Sequence, residues 1–148
     1  MSGMGLDTGL AIAHHILVFG LAIMLAMELA YLRGDSPPLA RLAGLDAGYG
    51  VTSLLIVAIG VCRVLWGAKG WTAYEANPFF WAKVGTFAVM GLCSIAPTLA
   101  FLRWRKASRA DTAFAPQGAE VARVALWVRI EILLLFLVVG FAAAMARH

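Results

Sequence analysis

Apolar residues run almost unbroken over four stretches of the chain, roughly Thr8 to Leu32, Ala47 to Gly67, Phe79 to Leu102 and Ala122 to Ala146, and polar residues gather between them. Each stretch is close to the roughly 20 residues that carry an α-helix across the hydrocarbon of a bilayer. Barrel strands are about half that long and alternate in polarity, which these stretches do not. The pattern therefore predicts an all-α integral membrane protein, a four-helix bundle forming a single four-span transmembrane domain over residues 1–148. Little chain is left over for a soluble domain. No Lys or Arg precedes Arg33, and no short apolar core with a small-residue cleavage pattern is present. The first stretch is accordingly expected to stay attached as a span rather than to be removed as a signal.

Composition sharpens the membrane reading. With 62% hydrophobic and 14% charged residues, the chain lies far outside the range of soluble globular domains. The basic residues then give an orientation. Arg33 and Arg41 fall in or beside the first loop, and Arg103, Arg105, Lys106, Arg109 and Arg123 in or beside the third. The opposite side holds only Lys69 and Arg147. The positive-inside rule places the first and third loops in the cytoplasm and both termini outside, in a bacterial inner (plasma) membrane. The formal charge of +4 is topological on this reading. No interleaving of aromatic and basic residues calls for a nucleic-acid partner, and none is expected. Cys62 and Cys93 both fall inside predicted spans without metal-ligand spacing, and read as small apolar filler.

The chemistry begins with two adjacent histidines, His14 and His15, inside the first span. A titratable ring in hydrocarbon costs free energy unless it faces protein, water or a metal, which makes it a functional-site candidate. His15 shares a helical face with Ala11, Ala22 and Ala26, small residues that let another helix come close, so His15 is expected to point into the bundle. His14 sits about 100° away, on a face that continues through Leu21 and Leu25 to Glu28. Neighbours so splayed cannot be the two axial ligands of one heme.

Helix two carries Ser53, Gly60 and Gly67 at seven-residue spacing, a close-packing stripe, with Arg63 beside it. Arg63 either joins a site or snorkels to the interface. The segment Ala68 to Pro78 reads as a short outer loop whose Trp71 and Tyr74 suit the membrane–water boundary. Helix three opens at Asn77-Pro78, with Asn as cap and Pro in the first turn, and Lys83 follows in its second turn. Pro97 is expected to kink it. In helix four, Glu131 falls within about 5 Å of the span centre and must be paired or protonated. Arg129 points to another face, so an inner set of Glu28, Glu131, Arg33 and Arg103 is expected to compensate one another, with proton relay by Glu131 or Glu28 as the other role.

Depth counted from the span centres brings His14, His15, Arg63 and Lys83 together in the outer half of the bilayer. Cations gathered without a carboxylate at their level call for an anion. Heme propionates, another carboxylated tetrapyrrole, a quinone oxygen or a lipid phosphate each fit, and a heme also uses the histidine.

Two runs carry a resemblance. Through Asn77-Pro78-Phe79-Phe80-Trp81-Ala82-Lys83 and Ser94-Ile95-Ala96-Pro97-Thr98-Leu99-Ala100-Phe101-Leu102-Arg103-Trp104-Arg105, the chain resembles, over nearly its whole length, a bacterial family of small predicted membrane proteins of unknown function. More distantly it is similar to HemJ-type protoporphyrinogen oxidases and CopD-like four-helix proteins. The shared points are Ala13-His14-His15-Ile16-Leu17, Trp81-Ala82-Lys83 and Arg129-Ile130-Glu131. That likeness implies a heme-b-associated oxidation with His15 as the metal ligand and Lys83 and Arg63 near carboxylates. The candidate cofactor-binding set is thus His15, His14, Arg63, Lys83 and Trp81. Helix three has Phe80, Trp81, Cys93 and Ser94 where the HemJ pattern would hold further histidines. The second axial position is left empty, or to Met90 or His14 of another copy.

Three function classes follow. The first is a heme- or tetrapyrrole-binding membrane protein that supports electron transfer or oxidation. The second is a non-catalytic accessory or assembly subunit of a larger membrane complex, or a homo-oligomer, which the small-residue stripes fit without a cofactor. The third is copper handling, because Met1, Met4, His14, His15, Met145 and His148 all fall at the outer end.

Overall fold

The structure, a computed structural model, describes residues 3–148. Five helices follow one another: α1 (Gly3–Leu32), α2 (Leu39–Trp66), the short α3 (Trp71–Glu75), α4 (Pro78–Ala110) and α5 (Gly118–Arg147). Among the described residues there is no strand. The four long helices are each apolar and long enough to cross a membrane. At 1.5 Å per residue the longest of them extends about 50 Å.

All four helices begin before their apolar stretches, and α4 and α5 also run past their ends. Charged residues such as Asp7, Asp46 and Arg109 interrupt the hydropathy pattern without interrupting the backbone, since helix formation needs no apolar residue once the first turn exists. The 68–78 segment is likewise not wholly a loop. Gly70, at φ 75°, supplies the left-handed turn that lets the chain reverse after α2 and enter α3.

The helices contact in a ring, α1 to α2, α2 to α4, α4 to α5 and α5 to α1, every neighbour antiparallel. Both chain ends and α3 lie at one end of the bundle, and the connections 33–38 and 111–117 at the other. Packing is uneven along the axis. Toward the connections the interior is filled by Leu21, Leu25, Leu42, Met90, Phe101, Trp104 and Val128, all within 1% of complete burial. Toward the termini it loosens. Large apolar side chains such as Ile16, Phe19, Leu54, Leu92, Leu133 and Phe136 cover the outside, the surface that lipid covers around a membrane bundle.

Asn77 closes the end that holds the termini. Its side-chain oxygen accepts from Phe79 N–H at 3.0 Å, capping α4, while Nδ2 donates to the carbonyl of Met145 at 3.2 Å, near the end of α5. One side chain thus satisfies a helix start and ties it to a helix end. Asn77→Ala removes both bonds, and the expected loss is about 1–2 kcal/mol, read as a lower unfolding midpoint in detergent. Asn77→Asp, which keeps the cap and loses the tie, should fall between.

Candidate functional site

A cavity of about 390 Å³ opens in the loosely packed half, bounded by α1, α2, α3, α4 and α5. Its walls are mostly aliphatic and aromatic, among them Val18, Ile56, Phe87 and Leu135, with Trp71, Tyr74 and Phe80 closing it at the end near the termini. Three basic side chains reach it from three helices: His14 of α1, Arg63 of α2 and Lys83 of α4. Each is half-buried.

The polar atoms here are poorly satisfied. His14 Nδ1 is buried and has no hydrogen-bond partner. Arg63 Nε is 4.0 Å from Asp7 Oδ1, at the outer limit of an ion pair and too far for a hydrogen bond. Lys83 has no acidic group within ion-pair distance among the described residues. Neighbouring cations without full compensation leave net positive potential in an apolar hollow, a setting that favours an anionic group on an otherwise apolar ligand.

Several expectations change. His14, not His15, faces the interior. His15 is exposed on the outside of α1, and its Nδ1 donates to the Ala11 carbonyl at 2.7 Å. The rings stand 6.4 Å apart at 79°, as their 100° splay requires. Trp81 does not line the cavity: it is 50% exposed, and its Nε1 donates to the Glu75 carbonyl at 3.0 Å. It braces Trp71 edge-on at 6.1 Å, so the wall residues are Trp71 and Phe80 instead. Position explains the difference, because Phe80, Lys83 and Phe87 recur on one face of α4 and Trp81 is turned about 100° from Phe80.

Asp7 is the carboxylate the depth argument lacked. It lies one residue before the apolar stretch that begins at Thr8. Gly67 lies beside this pair, where α1 comes close: an added Cβ would run into the Arg63 carbonyl and come within 3.0 Å of Asp7 Oδ1. Gly60, of the same stripe, borders the cavity, with no atom within 4 Å of an added Cβ. Met145 also lines the cavity, whereas Met90 is sealed in the core.

The atoms of the copper expectation do not gather. Met4 is 75% exposed, His15 faces outward, and His148 rests edge-on against Phe79 at 5.6 Å. Met1 lies outside the described residues. Among those described, no group of three or more His, Cys, Asp or Glu side chains is arranged to hold a metal ion.

The inner set is also different from expectation. Glu28 and Glu131 are each 1% exposed, but Arg33 is exposed and Arg103 pairs with Glu120. Neither arginine reaches the buried glutamates, because both side chains are exposed, where solvent solvates guanidinium better than the bundle does. Asp46 of α2, 8% exposed, joins the glutamates instead.

No curated protein and no solved structure matches the chain, so the distant likeness to HemJ-type and CopD-like proteins gains no support. A family model does match. It covers residues 6–148 and carries the description predicted membrane protein (DUF2214), and over nearly its whole length this four-span helical chain belongs to that family.

Proposed function

We propose that the cavity binds heme b or a related carboxylated tetrapyrrole, and that the protein supports electron transfer or oxidation within the membrane. The observation that carries this reading is the convergence of His14, Arg63 and Lys83 on one apolar cavity of about 390 Å³, a volume within the range of small-ligand sites. The residues present suit the group. His14 offers an imidazole nitrogen without a partner, and Met145 a thioether on the same wall. Lys83 and Arg63 suit carboxylates. A bound heme supplies one-electron chemistry at its iron. The chain's part is to hold the carboxylates, exclude water with Trp71, Tyr74 and Phe80, and keep the imidazole oriented. The reading places the cavity in the outer half of a bacterial plasma membrane, following the basic loops. Oxidation of a porphyrinogen is not part of it, since the family carries no assigned activity.

The test is an oxidised and reduced visible spectrum of the purified protein, followed by extraction and identification of the chromophore. A stoichiometric b-type heme signal is expected. A colourless, metal-free protein from heme-replete cells overturns the proposal and leaves the cavity to a quinone or an anionic lipid, or the chain to an accessory role in a larger complex.

A further inference from the structure

The packed half of the bundle encloses three carboxyl groups on three helices: Glu28 of α1, Asp46 of α2 and Glu131 of α5, exposed by 1%, 8% and 1%. They lie within electrostatic range of one another, and the Tyr49 phenol of α2, 5% exposed, faces Glu131. From α4 the facing groups carry no charge: Thr98 stands beside Asp46, and Trp104 fills the core. No Lys, Arg or His is within ion-pair distance of any of the three among the described residues.

A second observation is independent of their charge. Glu28 Oε1 and Glu131 Oε1, both on side chains almost wholly buried, have no hydrogen-bond partner, and neither has the Trp104 indole N–H. Two acceptor oxygens inside a packed membrane bundle lack donors. A structural network would have supplied them, because an unsatisfied buried polar atom costs on the order of 1–3 kcal/mol.

We infer that Glu28, Asp46 and Glu131, with Tyr49, form a proton-binding site whose carboxyl groups carry exchangeable protons. Like charges within electrostatic range of one another in a low-dielectric interior resist ionising together, and a proton on a carboxyl group removes that cost. A proton fits better than a metal cation. It needs one acceptor and a neighbour, whereas a metal needs several oxygens around one point, and no such arrangement exists among the described residues. The site is separate from the cavity and does not depend on what the cavity binds.

The experiment is infrared spectroscopy of the full-length protein in lipid nanodiscs, reading the carbonyl stretch of protonated carboxyl groups at neutral pH, in H2O and after exchange into D2O. Exposed carboxylates are ionised at that pH, so a band present there reports buried groups. The expected result is a band that shifts in D2O, falls as the medium is made alkaline, and loses intensity in E28Q, D46N and E131Q. The wild-type measurement needs no substitution, so a variant that fails to fold does not decide the matter. Absence of the band at neutral pH overturns the inference, as does a band unchanged in every folded variant. A band removed at fixed pH by sodium or potassium overturns it in favour of a cation site.

Discussion

If the cavity holds heme as proposed, His14→Ala is expected to remove the heme absorbance of the purified protein, and His15→Ala to leave it unchanged. The two substitutions delete the same ring from adjacent positions and differ only in direction. His14 reaches the cavity with a buried nitrogen that nothing satisfies, whereas His15 lies outside and is held to the Ala11 carbonyl. Complete loss is expected at position 14, because Met145 alone on that wall would be a weak ligand and the cations would engage the carboxylates rather than the iron. Lys83→Ala separates the two contributions. It should lower heme content at saturation while leaving the position of the absorbance bands, since the axial ligand is untouched. Spectra of the three variants, normalised to protein, are the measurement. Equal loss at 14 and 15 would show that the rings act through the fold of α1 and not through the cavity.

Trp104→Ala is the substitution expected to cost most stability, on the order of 3–5 kcal/mol. Trp104 is 1% exposed, stands edge-on to Phe101 at 5.8 Å, and belongs to the core cluster shared with α1, α2 and α5. In a bilayer the unfolding reference is already apolar, so the cost comes from the cavity and lost dispersion contacts rather than from transfer to water. Trp104→Phe gives the contrast. It keeps most of the ring and removes an indole N–H that has no partner, so its cost should be well under half that of alanine. Thermal unfolding of both variants in one detergent checks the order, and equal midpoints would mean that this part of the core repacks freely.

What the sequence made legible was governed by length and by polarity. Four runs near the span length admit only helices, and the observed helices follow them. Ala11, Ala22 and Ala26 suggest a packing stripe, but they do not set the rotation of α1. In the structure Ala26 is exposed, and the inward stripe is His14, Val18, Leu21, Leu25 and Glu28. Two ionisable residues fourteen positions apart return to nearly the same face after four turns, and in hydrocarbon that coincidence points inward more firmly than side-chain size does. Glu131, expected from its place in the span to be paired or protonated, is buried at 1% exposure. Asp7 and Asp46 carry no such signal, since each sits one residue outside an apolar run. Met145, Tyr74 and Phe80 could not be assigned to the cavity from the chain, because their meeting depends on how α3 folds over the bundle end.

The ring of antiparallel helices is built from two pairs that pack most extensively, α1 with α2 and α4 with α5, each joined by a short connection. Each pair is a hairpin that enters the bilayer and returns to the side it came from. For biogenesis this means the chain divides naturally into two insertion events, with residues 67–77 as the waiting segment between them. The first hairpin to emerge carries Glu28 and Asp46 with no counterpart for their buried faces, and the second brings Glu131. Polar side chains on a half-built bundle have nowhere to hide in lipid, so arrival of the second hairpin is the step that makes the first one comfortable in the membrane.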